Sequence, residues 1–347
     1  MIYGPLGMDN PELYKEIISN KTNEIDVDKW DYFARDSYHL GVRFTFQHDR
    51  FIKFSKVLNV SEKGPRKRQI CFRDKEAINV YQMFHTRYTL YRMACYHPIT
   101  VGMEAMITDA LLAAAKHLTL TKRNGSTFKL QDAISDMDAY QQLDDNILTL
   151  ILHSNVDNLK EARQILERVQ KRDIYKCVDR IPVKEDKDPE QEDTIREDIV
   201  QCEANEGLLK ADDLLVQIIK IDYGMKDKNP VDCVLFFSKE DPDKPKSIRQ
   251  DEVSHLLPKT FQERQVFIFV KKASERDRAK LCVAEWRKKT YWVTQKVGTD
   301  IPTVKSMSEG SEAASVKPRL VLHLKVSKIT DLSLHCVHVF VDPQYRD

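Results

Sequence analysis

A change of period divides this chain. From Asn10 to about Tyr175 apolar residues return every three or four places with few prolines, whereas beyond about Leu214 they gather in short runs. The first pattern lines one face of successive helices with apolar side chains, and the second suits strands. The clearest helical run is Met103 to His117, where Met103, Met106, Ile107, Ala110, Leu111 and Ala114 recur. A second helix is expected from Leu130 to His153 and a third from Asn158 to Lys171. Strands are expected from Leu214 to Tyr223, Val231 to Ser238 and Gln265 to Val270, with an amphipathic helix around Arg276 to Trp292. Between the two regimes, Ile181 to Glu206 is acidic and polar, carries Pro182 and Pro189, and has almost no periodic apolar residues, which reads as a flexible linker. The expected architecture is a mainly α lobe over residues 1–180, a linker over 181–206, a smaller α+β C-terminal lobe over 207–295 and a tail over 296–347 with no assigned role.

Polar stretches punctuate these elements. Lys122 to Thr127 (KRNGST) joins charge to Asn-Gly and predicts a loop or short hairpin. Ser61 to Arg68 (SEKGPRKR) holds Gly-Pro and four cations and predicts an exposed loop, with a phosphate-facing role as the alternative. Thr303 to Pro318 is rich in Ser, Glu and Lys without period, while Leu320 to Val341 alternates as strands do.

Composition removes several function classes. The 347 residues, 41% hydrophobic, are enough to bury a core, and 55 Lys and Arg against 54 Asp and Glu leave a net charge of +1. Polyanion binding must therefore come from local clusters of cations. Seven cysteines (Cys71, Cys95, Cys177, Cys202, Cys233, Cys282 and Cys336) lie scattered without a CxxC pair, which argues against a disulfide framework or zinc knuckle and fits a reducing compartment. No apolar run approaches the roughly 20 residues that span a bilayer, and no basic-then-apolar leader opens the chain, so a soluble intracellular protein without a membrane partner is expected. Glycine-rich phosphate loops are absent, and the ten scattered histidines give no Ser/His/Asp or Cys/His arrangement.

The densest set of reactive groups is Asp26-Val27-Asp28-Lys29-Trp30-Asp31-Tyr32-Phe33-Ala34-Arg35-Asp36, which reads as a helix beginning near an aspartate cap. At about 100° per residue, Asp28, Tyr32 and Asp36 share one face. Two carboxylates and a phenol so placed suit a divalent metal and a hydroxylated substrate. The structural alternative is a solvated face on which Asp28 and Asp36 pair with Lys29 or Arg35 while Trp30 and Phe33 meet the core.

The motifs DKWDYFARD and HLG, then RFIKF, RDKE, MFHTR, MITDA and DYGM with KNP occur in this order between Met1 and about Trp292. The chain thereby resembles the SAM-and-HD-domain deoxynucleoside triphosphate triphosphohydrolase family of vertebrates. The resemblance implies an HD-type helical catalytic lobe, of which residues 1–180 would be the C-terminal part, and a regulatory, oligomerising lobe over 207–295. It implies hydrolysis of a deoxynucleoside triphosphate to deoxynucleoside and triphosphate with a divalent metal (zinc, iron or magnesium), control of deoxynucleotide pools and restriction of viruses, in nucleus or cytoplasm. Asp28 would be the last of four metal ligands, the other three preceding Met1, so the chain is expected to be a fragment inactive alone. Lys29 and Arg87 would contact the triphosphate, as a point charge and a forked guanidinium. Tyr32 and Asp36 would face the sugar, and Tyr96 takes the place of an aromatic that here is displaced within Ala94-Cys95-Tyr96-His97-Pro98.

The same resemblance implies activation by GTP and deoxynucleotides bridging subunits of a tetramer, through Arg50, Arg73, Lys75, Arg172, Lys176 and Lys239 with Asn79 nearby. Met93 and Pro98 stand where the family has cations, which implies altered activator choice. The family's Thr-Pro phosphorylation motif is reversed at Pro302-Thr303, so no proline-directed phosphorylation is expected there. Two further readings use the same residues: a non-catalytic isoform that binds nucleotide and regulates full-length subunits, and a single-stranded nucleic-acid binder.

Overall fold

The computed structural model describes residues 11–60, 68–294, 320–324 and 337–341. They are largely helical with small sheets, and they divide into two compact units: Met1–Ala94 with Lys220–Glu263, and Cys95–Ile219 with Arg264–Asp347.

The first unit opens with α1 (Pro11–Ile18) and α2 (Val27–Leu40). The start of α2 is where the sequence places it, because Asp26 in extended backbone accepts the Lys29 amide at 3.1 Å. Its end is set by Gly41 at φ 66°, whose amide closes on Ser37 and Tyr38 carbonyls in the left-handed conformation that glycine adopts without a Cβ clash. After α3 (His48–Lys53), β1 (Ser55–Asn59) pairs antiparallel with β2 (Arg68–Arg73), and Phe236–Phe237 joins β2 in parallel. Helix α4 (Ala77–Leu90) then runs through the core and passes into a π-helical turn at Tyr91–Cys95. Phe33, Phe51, Phe72, Val80, Met83, Phe84, Phe236 and Phe261 are buried together around it. Between Val231 and Ser238 the expected strand shrinks to Phe236–Phe237. Pro230–Cys233 is instead a 3-10 turn, because Pro230 favours its first position and Asn229 caps the Val231 amide at 3.1 Å.

The second unit opens with α5 (Pro98–Ala115), which packs against the helix Lys160–Gln170 through Ile107, Ala110, Ala114, Ala162 and Leu166. Among the described residues, α5 is one helix long and apolar enough to cross a membrane by length and composition, which corrects the expectation that no run approaches that length. Its burial among protein side chains accounts for the apolar content: Val101, Met103, Met106 and Ala110 are enclosed, and Asp109 is engaged by Tyr175. The Lys122 to Thr127 stretch forms the turn of a hairpin between Thr119–Thr121 and Thr127–Lys129, with Gly125 at φ 85°.

Two expectations are corrected here. The single helix from Leu130 to His153 is three pieces, Leu130–Ile134, Met137–Tyr140 and Asn146–His153. Asp136 caps the Ala139 amide at 3.1 Å and Asp144 takes the Asn146 amide at 3.0 Å, so local carboxylates compete with the helical hydrogen bonds and restart the backbone. The stretch 181–206 is not structureless: it completes the strand Lys176–Pro182 and forms the helix Glu192–Val200, whose Ile195 and Ile199 are wholly buried. Two apolar residues four places apart supply one helical stripe, which the surrounding acids conceal. The strand Lys176–Pro182 lies at one edge of a three-stranded sheet beside Gln262–Val270 and then Leu214–Asp222. Helix Arg276–Lys289 covers this sheet with Ala279, Cys282, Val283 and Trp286. The alternating end of the chain contributes an antiparallel pair, Leu320–Leu324 and Val337–Val341. The loop expected over Ser61 to Arg68 lies outside the described residues, except Arg68, which opens β2, and so does the aperiodic stretch Thr303 to Pro318.

Candidate functional site

Helix α2 carries Asp28, Lys29, Tyr32 and Asp36, and their surroundings differ sharply. Asp36 is buried, Tyr32 is half-buried against the aromatic core, and Asp28 is exposed. The Tyr32 ring meets Phe33 edge-on at 4.6 Å. Lys29 bends away from Asp28 toward Glu24 Oε2 at 2.8 Å and Asp26 Oδ2 at 3.1 Å. Arg35 is 3.3 Å from Asp31.

Arg87 sits in the last turn of α4, where its Nη1 donates to Asp222 Oδ1 at 2.9 Å and to the Asp222 carbonyl oxygen. Its guanidinium also lies over the Tyr91 ring, 4.3 Å from the centroid. Asp222 is fixed in turn by the Gly224 amide, which donates to Oδ1 at 2.7 Å. Gly224 adopts φ +108°, and a Cβ there would lie 3.7 Å from Glu24 Cβ. Lys29 with Glu24 and Arg87 with Asp222 are thus two ion pairs of the first unit, and Gly224, bonded to Asp222, faces Glu24 across the space a Cβ would fill. Neither Glu24 nor Asp222 stands out in the sequence as a site residue, although the DYGM word contains Asp222 and its turn-forming glycine.

Beside these pairs, the Tyr223 hydroxyl lies 3.1 Å from His85 Nδ1, and the Tyr88 ring approaches Tyr223 at 5.9 Å. Burial raises the pKa of the Tyr223 phenol, with the neighbouring Tyr88 adding to the shift. Burial, followed by the Glu263 carboxylate, likewise raises that of Tyr88.

A metal does not fit the described residues. No group of three or more His, Cys, Asp or Glu that could hold an ion occurs among them, and one exposed carboxylate at Asp28 is too little for a divalent cation.

Four of the expected regulatory residues come together in the first unit. Arg50 grips the wholly buried Glu76 through Nε at 3.1 Å and through Nη2. Asn79 donates to Glu76 Oε2 at 3.3 Å and exchanges two hydrogen bonds with the Gln47 backbone. Lys75 lies 3.5 Å from the centre of the Phe54 ring, which Arg50 also approaches at 5.4 Å. Arg73 donates its amide to the Phe54 carbonyl at 2.9 Å and reaches over Phe237. Lys239 is exposed. In the second unit, Arg172 follows the helix Lys160–Gln170 in left-handed backbone at φ 57°, and Lys176 begins a strand 4.0 Å from Asp173. Tyr96, half-buried, follows the π turn. The six cysteines among the described residues are free thiols.

No family model matches the chain. Among curated proteins it is 42% identical over 279 residues to the deoxynucleoside triphosphate triphosphohydrolase SAMHD1 of Xenopus laevis, covering 78% of this chain and 44% of that protein. Against the SAMHD1 of Homo sapiens the identity is 40% over 277 residues, covering 77% and 43%. A putative HD domain-containing protein of Acanthamoeba polyphaga mimivirus is 26% identical over 195 residues, covering 52% and 39%. The chain therefore spans less than half the length of these relatives.

Proposed function

We propose that this chain, a relative of the SAMHD1 triphosphohydrolases through most of its own length, binds deoxynucleoside triphosphates and serves their hydrolysis to deoxynucleoside and triphosphate. The observation that carries the reading is that the Lys29–Glu24 and Arg87–Asp222 pairs lie on the two sides of the Gly224 turn. It brings two cations from distant parts of the sequence into one neighbourhood. A triphosphate needs such convergence, Lys29 acting as a point charge and Arg87 as a planar fork. Tyr32 would pack against the sugar and Asp36 would accept a hydrogen bond from the 3′-hydroxyl, so a ribose 2′-hydroxyl would meet the tyrosine ring.

Arg50, Arg73, Lys75 and Asn79, with Arg172, Lys176 and Lys239, are proposed to bind activating GTP or deoxynucleotides between copies of a tetramer. The Phe54 ring flanked by Lys75 and Arg50 supports this with a stacking surface beside cations. Activity in nucleus or cytoplasm and restriction of viruses are proposed on kinship alone, as is a role for Tyr96 beside sugar and base. Since the described residues do not form a metal site, no bond-breaking step is assigned to them. A second reading, in which the chain binds nucleotide and regulates hydrolytic subunits, is separated from the first by the same test.

The test is calorimetric titration of the purified chain with dGTP, alongside chromatography of products after incubation with dGTP, GTP and manganese, and analysis of bound metal. Binding that weakens about tenfold or more in Arg87→Ala supports a triphosphate subsite. Production of deoxyguanosine and triphosphate, abolished in Asp28→Ala, selects hydrolysis. Binding without turnover selects the regulatory reading, and dGTP binding indifferent to Arg87→Ala overturns both.

A further inference from the structure

The cations assigned above to the triphosphate are each already matched by carboxylates of this chain. Lys29 Nζ lies 2.8 Å from Glu24 Oε2, and Arg87 Nη1 lies 2.9 Å from Asp222 Oδ1. All four side chains are only partly exposed, from 14% at Lys29 to 21% at Glu24. At such depth a charge feels its neighbours through less screening than at the surface. A triphosphate that engages these cations with Glu24 and Asp222 still in place would set phosphate oxygens beside two like charges. One set of anions has to give way to the other.

The two ion pairs also lie on either side of Gly224. The Gly224 amide donates to Asp222 Oδ1 at 2.7 Å, and a Cβ on Gly224 would lie 3.7 Å from Glu24 Cβ and 3.8 Å from Glu24 Cγ. Gly224 itself sits at φ +108°, a conformation an L side chain rarely takes, so this close approach of the turn to Glu24 depends on glycine. Asp26, the second carboxylate on Lys29, has a different task. Its two oxygens accept the amides of Lys29 and Asn20 at the start of α2 and cannot move without undoing that cap.

The geometry points to Glu24 and Asp222, on either side of Gly224, as an acidic latch on the triphosphate subsite that holds Lys29 and Arg87 in place and yields them to an incoming phosphate chain. The inference rests on the reading of Lys29 and Arg87 as phosphate ligands. It adds that the empty subsite is self-neutralised and that affinity for nucleotide is limited by the exchange of carboxylate for phosphate. The ligand class that drives the exchange is a polyphosphate, because releasing both latches calls for anionic groups at both cations. A neutral nucleoside offers neither.

The test uses the full chain and three probes: inorganic triphosphate, dGTP and deoxyguanosine, titrated by calorimetry at low salt. Asp222→Asn keeps an oxygen for the Gly224 amide and for Arg87 while removing the charge. It is expected to bind inorganic triphosphate and dGTP about tenfold more tightly, with deoxyguanosine unchanged. Glu24→Gln acts on the other cation and is expected to give a gain of the same sign, so one poorly folded variant does not decide the matter. A role limited to packing would weaken binding or leave it alone, and would not raise affinity for polyphosphate selectively. Weaker or unaltered triphosphate binding in both variants, with Arg87→Ala still damaging it, overturns the latch and spares the subsite. Triphosphate binding indifferent to Arg87→Ala overturns the subsite and the latch together.

Discussion

Asp26 holds Lys29 twice: Oδ1 accepts its backbone amide and Oδ2 its ammonium, each at 3.1 Å. Oδ2 also takes the Asn20 amide at 3.0 Å, so one buried carboxylate starts α2, ties down the preceding turn and orients a proposed phosphate ligand. Asp26→Ala is expected to cost about 2 kcal/mol of unfolding free energy, from the lost cap and the buried amides left unmatched. Asp26→Asn keeps the cap but presents an NH2 group toward two donors, so it should recover only part of that loss. Urea unfolding of the three proteins measures the order.

Gly102 lets α5 approach the strand region closely. A Cβ there would stand 3.2 Å from Ile174 Cγ2, 3.4 Å from the Tyr175 carbonyl oxygen and 3.5 Å from Phe269 Cε1. Gly102→Ala sets a helix-propensity gain of about 1 kcal/mol against a tight contact, so its net effect should stay within about 1 kcal/mol. Gly102→Val adds two further methyl groups toward backbone and ring and should destabilise by about 2 kcal/mol or more. Thermal unfolding distinguishes the pair.

Helix α2 was legible because its cap, its aromatic core face and its glycine stop all lie within sixteen consecutive residues, and local chemistry dictates local structure. The breaks at Asp136 and Asp144 were not, since an apolar period can continue across a restart whose only sign is a carboxylate. Glu192–Val200 was hidden by its acids, because Ile195 and Ile199 are its two fully buried side chains and the residues before and between them are charged or polar. The site divides in the same way. Lys29 and Arg87 were found from motif words, whereas Asp222 lies 135 residues from Arg87, and an ion pair at that separation leaves no periodicity to read. The division of the chain into units built from two stretches each is equally non-local.

Tyr175 and Asp109 make stability fall at alkaline pH. The Tyr175 hydroxyl donates to Asp109 Oδ2 at 2.7 Å, and burial, followed by that carboxylate, raises the phenol's pKa well above its ordinary value. Cys177 and Cys71 are pushed up to about 11 and about 12, chiefly by burial. In each case the folded chain keeps a proton that the unfolded chain releases first, so the contribution to stability is full below the unfolded pKa and is lost as pH rises toward the folded one. Unfolding free energy should therefore decline from about pH 9 upward. Tyr175→Phe should flatten the decline by up to about 1.4 kcal/mol per pH unit, while starting from a lower value at pH 7 because the bond to Asp109 is gone. Urea titrations at pH 7, 9 and 10.5 separate these two effects.

Tyr32 is placed to act through its ring. It is half-buried, packs with the aromatic core and meets Phe33 edge-on at 4.6 Å, so the ring is held at one face of α2. If that face receives the sugar, the ring is a wall against the ribose 2′-hydroxyl and its own hydroxyl is secondary. Competition between dGTP and GTP for the subsite should then lose about tenfold of its preference for dGTP in Tyr32→Ala and keep it in Tyr32→Phe. The same loss in Tyr32→Phe would assign discrimination to the phenolic oxygen, and no loss in either would move the sugar away from α2. Because Tyr32→Ala also removes core contacts, binding is compared at a temperature where both variants are folded by circular dichroism.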